Sequence, residues 1–242
     1  MLHGFLGWLD RNEWTPHGEV FDIGNATRNA LMLFRIGGDH TTCGQSHERD
    51  NGNGSLMRCL PVSLWLFGSP SEHVVQQAGD ASALTHAHLR SRLCCAWHAL
   101  WCDAVLAGRE PRDAAHQASK RLRPLITVDL ERQILKRLLD GSVMDLPRAS
   151  LQSDGYVVST LEASLWCVAN HPDFRSAVLA AVNLGGDADT TGAVAGGMAG
   201  LHFGLKAIPA EWVAALARRD DVMALAERFA NACVDHWQRS PP

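Results

Sequence analysis

Apolar residues recur every three or four positions through most of this 242-residue sequence. The clearest run predicts one apolar helix face, formed by Leu89, Leu93, Trp97, Leu100 and Ala104. Similar spacings occur in the segments 128–140, 161–168 and 222–233. No segment shows the sustained alternation of β-branched residues that marks a half-buried strand. The pattern therefore predicts an all-α fold, a multi-helix bundle.

Helix-breaking residues divide the apolar runs at 68–72, 107–113, 153–156 and 207–211. None of these breaks is long enough to be an interdomain linker, so we predict a single domain over residues 1–242. The polar segment 37–54 is the exception in length, and loops of this length tend to be functional or mobile.

The charge balance and the cysteines limit the class of protein. Twenty-two Lys and Arg against 26 Asp and Glu give a net charge of −4, which disfavours nucleic acid and anionic membranes as partners. No apolar run approaches the ~20 residues of a membrane span. The seven cysteines form no Cys-x-x-Cys pair, which is typical of reduced, mostly buried thiols. Without a signal peptide pattern, we predict a cytoplasmic protein.

The stretch LGGDADTTGAVAGG, at 184–197, concentrates oxygen-bearing side chains at the start of a predicted helix. Asp187, Asp189 and Thr190 are oxygen ligands suited to Mg²⁺ or Mn²⁺. The same residue types are also common helix N-caps, and one of them would suffice for that role. The stretch by itself leaves both interpretations open.

The spacing Asp187-x-Asp189-x-Thr191 also fits the nucleophile motif of haloacid-dehalogenase-like phosphatases. That motif should follow an apolar strand, whereas here it follows an Ala-rich helix and the pair Gly185-Gly186, which we expect to end that helix. The context therefore argues against a phosphatase.

Two further segments could bind a ligand. In NGNGSLMR, at 51–58, small residues would let the backbone approach a ligand, and a helix is predicted to begin at Ser55, with Arg58 as a charge partner for phosphate. An ordinary loop with a Ser cap is the alternative. In LTHAHLR, His86 and His88 are two positions apart, which is a weak metal pair but leaves either ring free to hydrogen-bond a ligand.

Five segments in this order resemble the ADP-ribosylglycohydrolase family, which includes dinitrogenase reductase-activating glycohydrolase. They are FDIGNATR, GNGSLMR, LTHAHLR, GYVVSTLEASLW and AVNLGGDADTTGAVAGGMAG. The resemblance implies an all-α hydrolase that cleaves ADP-ribose from a modified protein or a small molecule, using a binuclear Mg²⁺ or Mn²⁺ centre.

The resemblance also implies roles for individual residues. Asp187 and Asp189 would be catalytic, and together with Thr190 they would bind metal. The implied substrate-binding residues are Asn53, Gly54, Ser55, Met57, Arg58, His86 and Tyr156. The alternative is a catalytically impaired relative that binds ADP-ribose without turnover.

The family normally begins with a segment that carries a Gly-Asp-x-x-Gly motif, a glutamate and a Thr/Ser-Asp-Asp triplet. This sequence starts in a region that resembles the part just after that triplet, and Asp220-Asp221 lies too far downstream to replace it. We therefore expect an N-terminally truncated relative with about half of the metal ligands, weak metal binding, and exposed apolar surface that favours self-association.

Overall fold

The computed structural model describes residues 1–239, and in that range it is helical with no strand longer than an isolated bridge. The all-α prediction is confirmed. The α-helices are α1 (Leu2–Arg11), α2 (Asn25–Arg35), α3 (Leu60–Trp65), α4 (Ser71–Ala83), α5 (Leu89–Leu106), α6 (Pro111–Leu122), α7 (Asp129–Ile134), α8 (Lys136–Asp140), α9 (Val157–Asn170), α10 (Phe174–Val182), α11 (Ala188–Phe203), α12 (Ala210–Ala214) and α13 (Arg219–Arg239).

Helix α5 lies at the centre, against α3, α4, α6, α9 and α11. The predicted helix is confirmed, but it is buried on nearly all sides and not on one face. Trp97 and Trp101 are both fully buried, and their indole N–H groups donate to Ser119 Oγ at 3.0 Å and to the Pro111 carbonyl at 3.1 Å. These bonds satisfy the polar edges of large side chains in an apolar interior.

The segment 128–140 departs from the prediction of one continuous helix. It forms α7 and α8, separated at Leu135. Leu130 is exposed, whereas Leu135 and Leu138 are buried. Of the predicted face, Ile134 and Leu138 therefore pack on the core as expected, and only Leu130 does not.

Helices α10 and α11 approach each other closely at a glycine. A Cβ on Gly192 would lie 2.8 Å from Val182 Cγ1, so a larger residue would push the helices apart. The pair Gly185-Gly186 separates the two helices as predicted, and both residues have left-handed φ values, 77° and 61°. This turn brings the start of α11 back over the loop that precedes α9.

The terminal helices are less buried than the centre. Within α13 only Cys233 is buried; Val222 and Leu225, predicted to share its apolar face, are exposed. The helix is attached through Trp237, whose indole N–H donates to the Leu64 carbonyl at 3.1 Å.

All seven cysteines are buried free thiols, as predicted. Across residues 1–239, every helix is too short or too polar to cross a bilayer.

Candidate functional site

Three chain segments meet where the predicted site residues cluster. They are the glycine-rich loop at 51–54, the loop at 151–156 that precedes α9, and the start of α11. Backbone hydrogen bonds join the first two, from the N–H of Asn53 to the Gly155 carbonyl and from that of Val157 to the Asn51 carbonyl, each at 3.0 Å. The N–H of Asp187 donates to the Ser153 carbonyl at 2.7 Å. The loop before α9 therefore lies between the glycine-rich loop and the start of α11, and it holds both.

Asp187 occupies the N-cap position of α11, and its carboxylate accepts a hydrogen bond from the side chain of Asn53. The Asn53 Nδ2 to Asp187 Oδ2 distance is 2.6 Å. Burial acts to raise the pKa of Asp187, but hydrogen bonds from the Asn53 amide, from the hydroxyl and backbone N–H of Thr190, and with Asp189 together lower it. The carboxylate is thus held as an anion by a contact that a simple helix cap does not need.

The other two predicted metal ligands lie in the first turn of α11. Asp189 is exposed and Thr190 is half-buried. The next residue, Thr191, is buried, and its hydroxyl lies 2.7 Å from Ser153 Oγ, so it belongs to the packing beneath the site.

These donors suit one hard cation better than two. Asp187, Asp189 and Thr190 offer two carboxylates and a hydroxyl, and Mg²⁺ is commonly held by one or two carboxylates while it keeps several waters. In residues 1–239 no cluster of three or more His, Cys, Asp or Glu side chains is arranged to hold a metal ion. The described residues therefore offer a cation two carboxylates and a hydroxyl, and the binuclear centre implied by the resemblance stays a prediction.

His86 packs directly against the glycine-rich loop. A Cβ on Gly54 would lie 2.9 Å from His86 Cε1, so glycine is required for the ring to approach. On its other side, His86 Nδ1 lies 2.7 Å from the Thr85 hydroxyl. Burial, together with the charge of Arg58, lowers the pKa of His86 to about 4, while Asp50 acts to raise it. His86 is consequently a neutral hydrogen-bonding group at neutral pH.

The predicted helix start at Ser55 is a single 3-10 turn, Leu56–Arg58, so the helix dipole expected to attract phosphate is largely absent. Ser55 is buried and accepts from Ser82 Oγ at 2.8 Å. Arg58 donates to the Gly54 carbonyl at 2.8 Å and to Thr85 Oγ1 at 2.7 Å. The polar groups of Ser55 and Arg58 therefore bond other parts of the protein and hold the loop in place. The side chain of Met57, in contrast, is 51% exposed to solvent.

Tyr156 lies above a buried ion pair that sequence reasoning did not find. The Arg90 guanidinium lies 5.9 Å from the centre of the Tyr156 ring. Arg90 donates to both carboxylate oxygens of Glu131, at 2.9 and 3.0 Å, and to Glu48 at 2.6 Å. Since Glu48 belongs to the long polar loop, this arginine ties the loop to α5 and α7.

A cavity of about 240 Å³ adjoins the glycine-rich loop. Its walls include three predicted substrate-binding residues, Gly54, Met57 and Arg58. Thr27, from the FDIGNATR segment, also faces this cavity. A larger cavity, about 730 Å³, lies between α1, α3 and α4 and is lined by none of the predicted site residues.

The sequence model of the ADP-ribosylglycohydrolase family matches residues 1–239. The chain belongs to the ADP-ribosylglycohydrolase family. The resemblance found in the five sequence segments is thereby confirmed.

Curated relatives extend the comparison. The chain is 34% identical to an ADP-ribosylarginine hydrolase, Tri1, of Pseudomonas putida, over 94% of this chain and 58% of that protein. It is 31% identical to the ADP-ribosyl-[dinitrogen reductase] glycohydrolase of Rhodospirillum rubrum, over 81% of this chain and 60% of that protein. The chain thus spans about 60% of the length of these relatives.

A solved structure has the same fold. It is described as an ADP-ribosylglycohydrolase-related protein complex, and it superposes with a TM-score of 0.75 at 30% identity, covering 94% of this chain and 71% of that one. The helical architecture is therefore that of the family.

Proposed function

We propose that this protein hydrolyses the bond between ADP-ribose and an acceptor, with Mg²⁺ or Mn²⁺ bound at Asp187, Asp189 and Thr190. The observation that carries the proposal is the Asp187 carboxylate, held by Asn53 at the junction of three segments that each contain a family motif. Relatives named as ADP-ribosylarginine and ADP-ribosyl-[dinitrogen reductase] hydrolases support an ADP-ribosylated protein as the substrate.

Each residue has a definable part in such a reaction. A divalent cation would supply Lewis-acid chemistry toward the ribose and a water molecule. The carboxylates of Asp187 and Asp189 would stabilise the positive charge that develops on the sugar ring in an oxocarbenium-like transition state. The neutral His86 would hydrogen-bond a ligand hydroxyl, and Gly54 would let the ligand approach the backbone.

The remaining predicted residues would hold the substrate in place. The exposed side chain of Met57 and the ring of Tyr156 offer apolar surface to the nucleoside, while Ser55 and Arg58 keep the loop in shape. Binding energy from these remote contacts can be used to orient the reacting bond.

A second candidate is an ADP-ribose-binding relative without turnover. It is favoured by the absence, within residues 1–239, of a third acidic or imidazole ligand beside Asp187 and Asp189. Affinity for a hard cation rises with ligand charge and rigidity, so this donor set would bind the ion weakly.

Release of ADP-ribose from an arginine-modified protein, with and without Mn²⁺, tests the proposal. We expect metal-dependent release that falls by at least ~100-fold in Asp187→Asn and Asp189→Asn, because a direct ligand should matter more than its outer-shell partners. The matched control is Asp129→Asn, which removes an exposed carboxylate in α7. Calorimetric binding of ADP-ribose without any release would instead support the non-catalytic candidate.

A further inference from the structure

Asn53 is the residue through which the three segments of the site contact one another. Its side chain is almost completely buried, 8% exposed. Its backbone N–H bonds the loop before α9, and its side-chain amide bonds Thr160 in α9 and Asp187 at the start of α11. The two side-chain bonds span 107 and 134 residues of sequence.

The amide nitrogen of Asn53 has no hydrogen left for a ligand. A primary amide carries two N–H donors. Asn53 Nδ2 lies 2.8 Å from Thr160 Oγ1 and 2.6 Å from Asp187 Oδ2, so both are used inside the protein. The side chain can therefore meet a substrate only through its carbonyl oxygen.

The Asp187 carboxylate is fixed from a second side by Gly155. This glycine has φ +81°, and a Cβ added to it would lie 3.3 Å from Asp187 Oδ2. Oδ2 is thus held by the amide and packed against the glycine, so Oδ1 is the oxygen that Asn53 leaves for a ligand or for the first turn of α11. Thr160, fully buried, in turn fixes the amide plane of Asn53.

We propose that Asn53, oriented by Thr160, is a positioning residue that presents Oδ1 of Asp187 to the divalent cation. This inference rests on the proposed function, since it concerns the same cation. Outer-shell donors orient ligands to a metal, and their loss typically costs about 10–100-fold in metal affinity or activity. A neutral amide does this without a competing charge, so the carboxylate keeps its full charge for the cation.

Titration with Mn²⁺ alone, followed by calorimetry, tests the inference on the full chain. We expect Asn53→Ala to weaken Mn²⁺ binding by about 10–100-fold. Thr160→Val should weaken it by a smaller factor, and Thr160→Ser, which keeps the hydroxyl, should bind as the wild type does. This rescue separates positioning from packing, because Val is closer to Thr in shape than Ser is. If Asn53→Ala does not fold, the Thr160 pair still gives the answer.

The outcomes for the two proposals are separable when ADP-ribose release is measured in parallel. If the wild type releases ADP-ribose, and Asn53→Ala and Thr160→Val bind Mn²⁺ with unchanged affinity, the positioning role is overturned and the proposed hydrolase activity stands. Absence of release, combined with Mn²⁺ binding that depends on Asn53 and Thr160, overturns the hydrolase and supports the positioning role. A wild-type chain that binds no Mn²⁺ overturns the positioning role outright.

Discussion

The buried ion pair beneath Tyr156 makes Glu131→Gln an informative substitution. The Arg90 and Glu131 side chains are 3% and 4% exposed and share two hydrogen bonds. Burial acts to lower the pKa of Arg90, but its bonds to Glu131 and Glu48 raise it overall. Because an arginine side chain is not deprotonated in proteins, the guanidinium also stays charged when Glu131 is replaced by Gln.

Removing one partner of a buried ion pair typically costs about 3–5 kcal/mol, because the remaining charge loses its compensation in a medium of low polarity. Here Glu48 continues to accept from Arg90 Nη1 at 2.6 Å, so we expect the lower end, about 3 kcal/mol. In a domain of this size each kcal/mol lowers Tm by about 2–4 °C. The expected fall in Tm is therefore about 6–12 °C.

Thermal and urea unfolding of wild type and variant give the measurement. The matched control is Asp129→Asn in the same helix, because Asp129 is 84% exposed and pairs with Arg132 at 2.8 Å. Such a surface pair contributes about 0–1 kcal/mol. A loss for Glu131→Gln no larger than that of the control would refute the reasoning, since it would mean that Arg90 finds equal compensation without Glu131.

Two other predictions concern the turn before α11 and the buried histidines. Gly186→Ala should destabilise the protein by about 2–5 kcal/mol, because Gly186 has positive φ and its Cβ would overlap the Ser153 carbonyl oxygen. Gly185→Ala, which has open space, should cost only about 1–2 kcal/mol in urea unfolding; equal losses would exclude the overlap as the cause. Burial is the main cause that lowers the pKa of His86 and His98 to about 4 each, whereas an unfolded histidine titrates near 6.5. The folded state therefore binds fewer protons, so stability present above about pH 6.5 should fall as the pH drops toward 4. NMR titration of either ring with a midpoint near 6.5 would contradict this.

The sequence was sufficient for the helices and for the family. Apolar spacing of three and four residues depends only on local helix geometry, so α5, α9 and α13 could be predicted from it. Spacing missed the break at Leu135 between α7 and α8, because no Gly or Pro there indicates it.

The predicted site residues fall into two groups: those whose polar atoms are placed for a ligand, and those whose polar atoms form hydrogen bonds within the protein. The sequence indicated Asp187, Asp189 and Thr190 as oxygen ligands, and the structure places them on the first turn of α11. The resemblance to the family grouped Ser55 and Arg58 with the substrate, and in the structure their polar atoms bond the protein beneath the loop. Their chemistry was readable from the sequence, but the direction of each side chain depends on its packed neighbours.

The sequence by itself determined an all-α chain of this family with two carboxylates at a helix start. Only the tertiary structure decided that the Asp187 carboxylate is held by Asn53, and that Arg90 is paired beneath Tyr156. The reason is physical. Helix formation is encoded in contacts three or four residues apart, while these hydrogen bonds join residues 134 and 41 positions apart, which only the packing of whole helices brings together.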